Sequence, residues 1–327
     1  MKLGLIGTAY NAGISHIASG FASQFPFKSL IVHNKPYAMF LERFPVHRVT
    51  KDIKQDDIDW LLDDLDTLLV IETPYNWDVL RQAHEKGIRV IFEPMFEWLQ
   101  MRPELKYVDL WICPSIDTYE KVVGNKVLVP SEIPIDLDKF PRRKITKLKT
   151  LLHNSGHGGI GNRNSTPELI EAMKYIKSDV KLIVNTQLGP TRKEPNVEVR
   201  YANFHDYWDM YNEGDIWIMP AKYGYAFLGI QEACAVGMPI MITDMSPFNR
   251  YLPSELLIKA DITEQTLFYG QKQPNARIDP KLIAEAIDRV AQLDLTEYSE
   301  KAYALAESCS WKVMKPIYEK IFYEGHQ

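Results

Sequence analysis

An α/β protein built from two successive Rossmann-like domains, each a doubly wound parallel sheet, is predicted by three observations. Apolar runs of strand length alternate with helical patterns along the chain. The alternation is interrupted once, by a basic stretch containing prolines, and 327 residues suit two domains of roughly 150 each.

In the first half the strand candidates are residues 3–7, 29–33, 67–72, 89–93, 109–114 and 126–130. Helical patterns lie between them, such as DDIDWLLDDLD and NWDVLRQAHEKG, the latter with Asn76 as N-cap and Gly87 as its stop. Residues 131–149 then break the pattern. It restarts with strand candidates at 150–156, 181–186, 197–202, 215–221, 239–244 and 256–261, and helices over 165–177, 227–237, 280–292, 296–307 and from Ser310 onward. The expected organisation is an N-terminal domain over 1–135, a basic linker at 136–149, a C-terminal domain over 150–309, and a terminal helix, 310–327, crossing back to the first domain.

Charge and cysteine content narrow the classes. Lysine and arginine number 38 against 43 acids, so the net charge of -5 gives no global attraction for nucleic acid or an anionic membrane. Cys113, Cys234 and Cys309 lack metal-ligand spacing, and their apolar surroundings read as reduced packing positions of a cytoplasmic protein. No window of about 18 apolar residues suggests integral membrane association. The acidic pairs at 57–59, 64–66 and 136–138 fall in helix-like or linker segments, so no metal site is expected. A GxGxxG fingerprint is absent after the first strand, which leaves dinucleotide oxidoreduction without support.

Tandem domains of this kind place ligands outside the carboxyl ends of their strands, in the cleft they face, so the chemistry must be sought in those loops. In PAKYGYAFLGIQEACAVGMPIMITD, residues 220–244, a strand ends at Pro220, a small-residue turn follows and a helix opens near Phe227. A helix N-terminus offers free N–H groups to a diphosphate, and a carboxylate at Glu232, about a turn in, suits the two hydroxyls of a ribose. The structural alternative is a helix packing Ala233, Ala235 and Gly237 on the sheet with Glu232 exposed. The spacing of Pro220, Tyr223, Glu232, Ala233, Ala235, Gly237 and Pro239 resembles, without a gap, the donor-site motif of the family-four, glycogen synthase-like glycosyltransferases of GT-B architecture. Gly224 stands where that family has its first glutamate, and Tyr225 and Phe227 where it has two glycines.

A second segment, HNSGHGGIGNRNSTPELIEAM (153–173), is similar to the family's Gly-rich loop and following helix. Asn162, Arg163 and Thr166 match, while Asn164 and Ser165 replace a lysine and a glycine. The resemblance implies that Gly156, Gly158, Gly159, Asn162 and Arg163 approach the diphosphate, with Lys222 assisting Arg163; a capped helix start at Asn164 or Ser165 is the plainer alternative. Tyr201 and Asn203, in YANFHDYW, stand where the family holds the nucleotide base, although Asn203 also suits a helix cap. Tyr225, Ala226 and Phe227 complete the donor set. The Ser-Trp opening of the helix from Ser310 is similar to the family's closing helix.

In the first domain, His16 follows strand one, and ETPYNW and EPMFEW follow later strands. Glu97 or Glu93 is the candidate to orient an acceptor hydroxyl, with ion pairing as the competing role, and His16 has a packing or capping alternative. The whole chain looks like a compact group of glycosyltransferases found in bacteria and their phages. The resemblance therefore implies a hexosyltransferase with no prosthetic group, taking a nucleoside diphosphate sugar, a UDP-hexose, as donor. It implies retaining, metal-independent transfer to a hydroxyl on a glycan, a small molecule or a hydroxymethylated DNA base; the basic run Arg142, Arg143, Lys144, Lys147 and Lys149 would serve the last. A nucleotide-sugar epimerase or hydrolase, and a non-catalytic nucleotide-sugar-binding module, are the competing readings.

Overall fold

The computed structural model describes residues 1–9, 13–33, 44–50, 52–129, 133–158, 160–189, 191–202, 204, 206–266, 268–270 and 272–323. The candidates Gly159 and Asn203 lie outside these residues. Two compact units emerge, one of residues 1–135 together with 309–327, the other of 136–308.

In the first unit the order is β1 (Leu3–Thr8), α1 (Gly13–Gln24), β2 (Phe27–Val32), β3 (Val46–Val49), α2 (Gln55–Leu62), β4 (Thr67–Ile71), α3 (Asp78–Glu85), β5 (Arg89–Glu93), β6 (Leu110–Cys113), α4 (Ile116–Lys121) and β7 (Lys126–Leu128). These strands form one sheet ordered β3-β2-β1-β4-β5-β6-β7, and every pairing is parallel. Both faces are covered, which is why β1 and β4 are buried at every residue and read as continuous apolar runs rather than as alternation. Close helix packing is built in at Gly7, where a Cβ would stand 2.8 Å from that of Ala18 on α1. At α3 the Asn76 carboxamide accepts from the Asp78 N–H, and Gly87 closes the helix in the left-handed region at φ 73°.

The second unit holds β8 (Thr150–Gly156), α5 (Thr166–Ala172), β9 (Lys181–Thr186), β10 (Arg192–Glu194), β11 (Val197–Tyr201), β12 (Ile216–Met219), α6 (Leu228–Ala235), β13 (Ile240–Ile242), β14 (Asp261–Thr266), β15 (Lys272–Arg277), α7 (Pro280–Val290) and α8 (Thr296–Ser308). Its sheet is ordered β10-β11-β9-β8-β12-β13, parallel except for the edge pair β10–β11. A final helix, α9 (Trp311–Tyr323), belongs to the first unit. There Trp311, Tyr318 and Phe322 set their rings edge-on against Phe21 of α1, at centroid separations of 5.3, 4.8 and 6.2 Å.

Two expectations are corrected. The apolar run at 256–261 is no strand of the sheet; Ile258 makes one isolated bridge to Thr243, and the chain continues into the separate hairpin β14–β15. Apolar character alone does not distinguish a strand from a covered connection, and Leu256, Leu257 and Ile258 are buried without a ladder. The helix expected over 165–177 spans only 166–172, because the turn at 173–175 is followed by Lys177 and Ser178 donating their N–H groups to Asp288 of α7. The edge strands β3 and β10, short and partly polar, carry no sequence signal of their own.

The three cysteines are buried and form no disulfide. Among the described residues no helix is long and apolar enough to cross a membrane.

Candidate functional site

In the second sheet the chain winds one way from β8 to β9 and β11, then returns to the far side of β8 with β12. The loops leaving β8 and β12 therefore diverge at a topological switch point, where open α/β sheets bind ligands. These are the two loops singled out from the sequence. They are joined through their backbones, since the Lys222 N–H donates to the Arg163 carbonyl at 2.8 Å.

The β8 loop is held from below by His153. Burial pushes this imidazole down to about 4, against a backbone hydrogen bond that favours its charged form, so it is neutral. Nδ1 lies 2.8 Å from the Ile218 carbonyl and must carry the proton; Nε2 then accepts from Thr166 Oγ1 at 2.8 Å, and the Ser155 hydroxyl lies 2.9 Å from the same Thr166 oxygen. One buried side chain thus ties β8, β12 and the start of α5 together. Along the loop Gly156, Gly158, Gly161, Asn162 and Ser165 all adopt positive φ, a run that curls the backbone around the head of the sheet.

Asn164, standing where the resemblance places a lysine, turns inward and donates its amide to the Ser155 carbonyl at 3.0 Å. Ser165 precedes α5 at φ 50° without a side-chain cap. Ser165 holds the N-cap position, but neither side chain caps the helix. Arg163 instead stacks its guanidinium over aromatic faces, 4.9 Å from the Phe227 ring centroid and 5.9 Å from that of Tyr223. Phe227 is the N-cap of α6, so the cation is held at that helix's N-terminus.

Gly224 explains the departure at the family's first glutamate. Its φ is 142°, and a Cβ would come 2.8 Å from the Phe227 ring, so no larger residue fits this backbone. The ring that supports Arg163 occupies the space a side chain at 224 would need. Tyr225, Ala226 and Phe227 are all buried. Gly237, at φ 77°, ends α6 beneath the Arg143 carbonyl, 2.5 Å from where a Cβ would stand.

Glu232 is 5% exposed, which rules out the reading that placed it on a solvent face. Burial raises its carboxyl to about 7, against the lowering effect of a 2.5 Å hydrogen bond donated by the Tyr211 hydroxyl to Oε2. The other oxygen, Oε1, is buried with no hydrogen-bond partner. An acceptor in that state suits an incoming hydroxyl.

Lys222 faces Glu168 of α5 at 2.9 Å, and Asn162 donates to the same carboxylate. Burial would raise the Glu168 carboxyl, yet these donors hold it below the usual range. Tyr201, the last residue of β11, is 61% exposed. In the first unit His16 is half-buried in the first turn of α1, and Glu97 is buried in the 3-10 turn Phe96–Trp98 that follows β5. Glu93 ends β5 fully buried, with neither carboxyl oxygen partnered.

Two of the five residues of the basic run are engaged in the second unit. Arg142 pairs with Glu300 and lies 4.1 Å from the Tyr303 ring, and Arg143 donates to the Tyr211 carbonyl and faces Asp215 at 3.9 Å. Lys144, Lys147 and Lys149 are exposed. Among the described residues no cluster of three or more His, Cys, Asp or Glu groups could hold a metal ion.

Sequence reading did not single out Tyr211, His153 or Glu168. Tyr211 comes from a 3-10 turn with no motif; His153 left a faint signal, an imidazole inside an otherwise apolar strand pattern.

No protein-family model matches the sequence, and no curated protein matches it. Solved structures do. Sucrose-phosphate synthase from Thermosynechococcus elongatus superposes with a TM-score of 0.68 at 13% identity, over 99% of this chain and 100% of that one. HepE from Anabaena, in complex with UDP and glucose, gives 0.69 at 12% over 99% and 100%. A glycosyltransferase from Rickettsia africae gives 0.69 at 11% over 99% of each chain. The fold of this chain is that of GT-B glycosyltransferases, two Rossmann-like domains.

Proposed function

We propose that this chain is a glycosyltransferase that moves a hexosyl group from a nucleoside diphosphate sugar, a UDP-hexose, to a hydroxyl acceptor. The observation that carries the reading is Glu232: a buried carboxyl with one oxygen held by Tyr211 and the other open, on the helix whose N-terminus carries Arg163. A ribose needs an acceptor for its hydroxyls, and a diphosphate needs N–H groups and a cation; both stand on α6 and the loop before it. That HepE holds UDP and glucose in the same fold supports the choice of donor.

In this reading the bond from the anomeric carbon to the diphosphate oxygen breaks while the acceptor oxygen bonds to the same face. The acceptor proton passes to the leaving phosphate. Arg163 and the α6 N-terminus stabilise the charge that grows on the diphosphate, so the step needs neither a metal nor a side-chain base in the second unit. Gly156, Gly158 and Asn162 shape the phosphate loop, Tyr201 borders the base, and His16, Glu93 and Glu97 are the acceptor-side candidates. A hydroxymethylated DNA base is one acceptor class; the pairing of Arg142 and Arg143 weighs toward a glycan or small molecule.

Calorimetry with UDP, followed by incubation with labelled UDP-glucose and each acceptor class in EDTA, tests the proposal. Transfer is expected with retained configuration, and Arg163→Ala and Glu232→Ala should abolish it. Binding without transfer to any acceptor would leave a binding module. Release of free glucose, or of an epimeric UDP-hexose, would make the chain a hydrolase or an epimerase.

A further inference from the structure

The hairpin β14–β15 stands outside both sheets, yet it is fixed to the donor loop. Lys222 has both sides of its backbone engaged: its N–H donates to Arg163, and its carbonyl accepts from the Ala276 N–H of β15 at 2.7 Å. The three segments 163, 222 and 276 therefore lie side by side, and the hairpin forms a further wall of the site. Strand β14 is exposed at every residue, so whatever covers β15 comes from the body of the unit. On β15 the covered residues are Ala276, at the contact itself, and Gln273, which is 0% exposed.

Gln273 is an unusual residue to bury in this way. Its carboxamide oxygen and nitrogen are both enclosed, and neither has a hydrogen-bond partner. A buried amide in that state costs stability for each unmet group, so its presence calls for something that meets it. In the loop that Lys222 ties to β15, Gly224 and Ala226 carry no polar side chain, and the Phe227 ring fills the space beside Gly224. A hexose presents hydroxyls that donate and accept at once, and a carboxamide answers both from one plane.

We propose that Gln273 determines donor-sugar specificity, its carboxamide reading hydroxyls of the hexose in place of a side chain that position 224 cannot carry. The inference rests on the nucleotide-sugar reading above.

Calorimetry on the full chain, with UDP, UDP-glucose and UDP-galactose as ligands, separates the two. In Gln273→Leu and Gln273→Ala the affinity for UDP should stay within about twofold of wild type, while that for the preferred UDP-hexose falls about tenfold, the loss of one or two net hydrogen bonds. The ligand-free Leu variant should also melt higher, since it no longer buries an unmet amide; thermal unfolding of each variant establishes that it is folded. Equal losses for UDP and UDP-hexose would mean that the hairpin merely props the loop, and unchanged affinities would mean that Gln273 touches no sugar; either overturns the proposal. A wild-type chain that binds UDP no more weakly than every UDP-hexose, with no change on substitution, sinks the sugar contact alone. No binding of UDP at all sinks the nucleotide reading itself.

Discussion

Among the buried glutamates, Glu232 of the second unit and Glu93 of the first differ in what meets them. Glu232 receives the Tyr211 hydroxyl on one oxygen and keeps the other open, and its carboxyl stands near 7. Glu93 receives nothing on either oxygen, and burial alone pushes it to about 8. Its charge, were it formed, would be felt by two buried neighbours. Tyr318 of α9 is fully buried with an unpartnered hydroxyl, and Cys113 is close enough for its thiol, raised to about 12 first by burial, to feel the carboxyl's charge. A half-met carboxyl beside a helix N-terminus is ready to take a ligand at neutral pH. An unmet one stays protonated and acts through the fold, between the sheet and the helix α9.

The largest effect should come from Glu93. A folded carboxyl raised from 4.5 to about 8 binds its proton more tightly than the unfolded chain does, so stability is full below about pH 4.5 and declines as pH rises toward 8. One pKa unit corresponds to about 1.4 kcal/mol, which sets a ceiling near 5 kcal/mol; relaxation of the buried site should leave on the order of 2–4 kcal/mol. Denaturant unfolding at pH 5 and pH 9, wild type against Glu93→Gln, isolates this term as a difference of differences. The wild type should lose the more stability between the two pH values. Parallel losses would show that Glu93 is ionised or solvated in the folded state.

Glu232, raised less, should report through binding as well as stability. With UDP-glucose, whose diphosphate does not titrate near neutrality, affinity should strengthen as pH rises through about 7 and the carboxylate forms. Glu232→Gln should weaken binding about a hundredfold at pH 8 and remove the pH dependence, as loss of hydrogen bonds to a charged acceptor would. Tyr211→Phe sharpens the contrast: without the phenol donor the carboxyl is less favoured as an anion, and the midpoint should move up. A profile identical in all three proteins would place Glu232 outside the binding event.

The same comparison marks what could be read from sequence. The parallel sheets were legible because buried strands such as Leu68–Ile71 and Leu151–Leu152 are apolar without interruption, and the segment 220–244 stood out through small residues whose steric reasons are visible in the fold. Gly237 must be a glycine beneath the Arg143 carbonyl; Gly224 must be one beside Phe227. What escaped depends on distant pairing. Tyr211 meets Glu232 across 21 residues and Ala276 meets Lys222 across 54, and neither carries a local pattern. The hairpin was misread for a related reason: 256–258 is apolar because it is covered, whereas β14 is polar and exposed, so hydropathy pointed to the wrong segment.

The smallest predicted effect concerns the pair that links the two loops. Lys222 is the one basic side chain added to Arg163 in the expected diphosphate set, but its ammonium lies 2.9 Å from Glu168, with both side chains about a quarter exposed. Solvent screens such a pair, so its own contribution to stability is small. Its consequence is competition, because a diphosphate must draw the ammonium away from a carboxylate that Asn162 also holds in place. Glu168→Gln should therefore strengthen UDP binding about threefold, and Lys222→Ala should weaken it by a similar factor. In the double variant the gain from Glu168→Gln should vanish, since no ammonium remains to be released. If Glu168→Gln weakens binding instead, the carboxylate positions Lys222 for the ligand, and the pair belongs with Glu232 and Tyr211 as part of a prepared site.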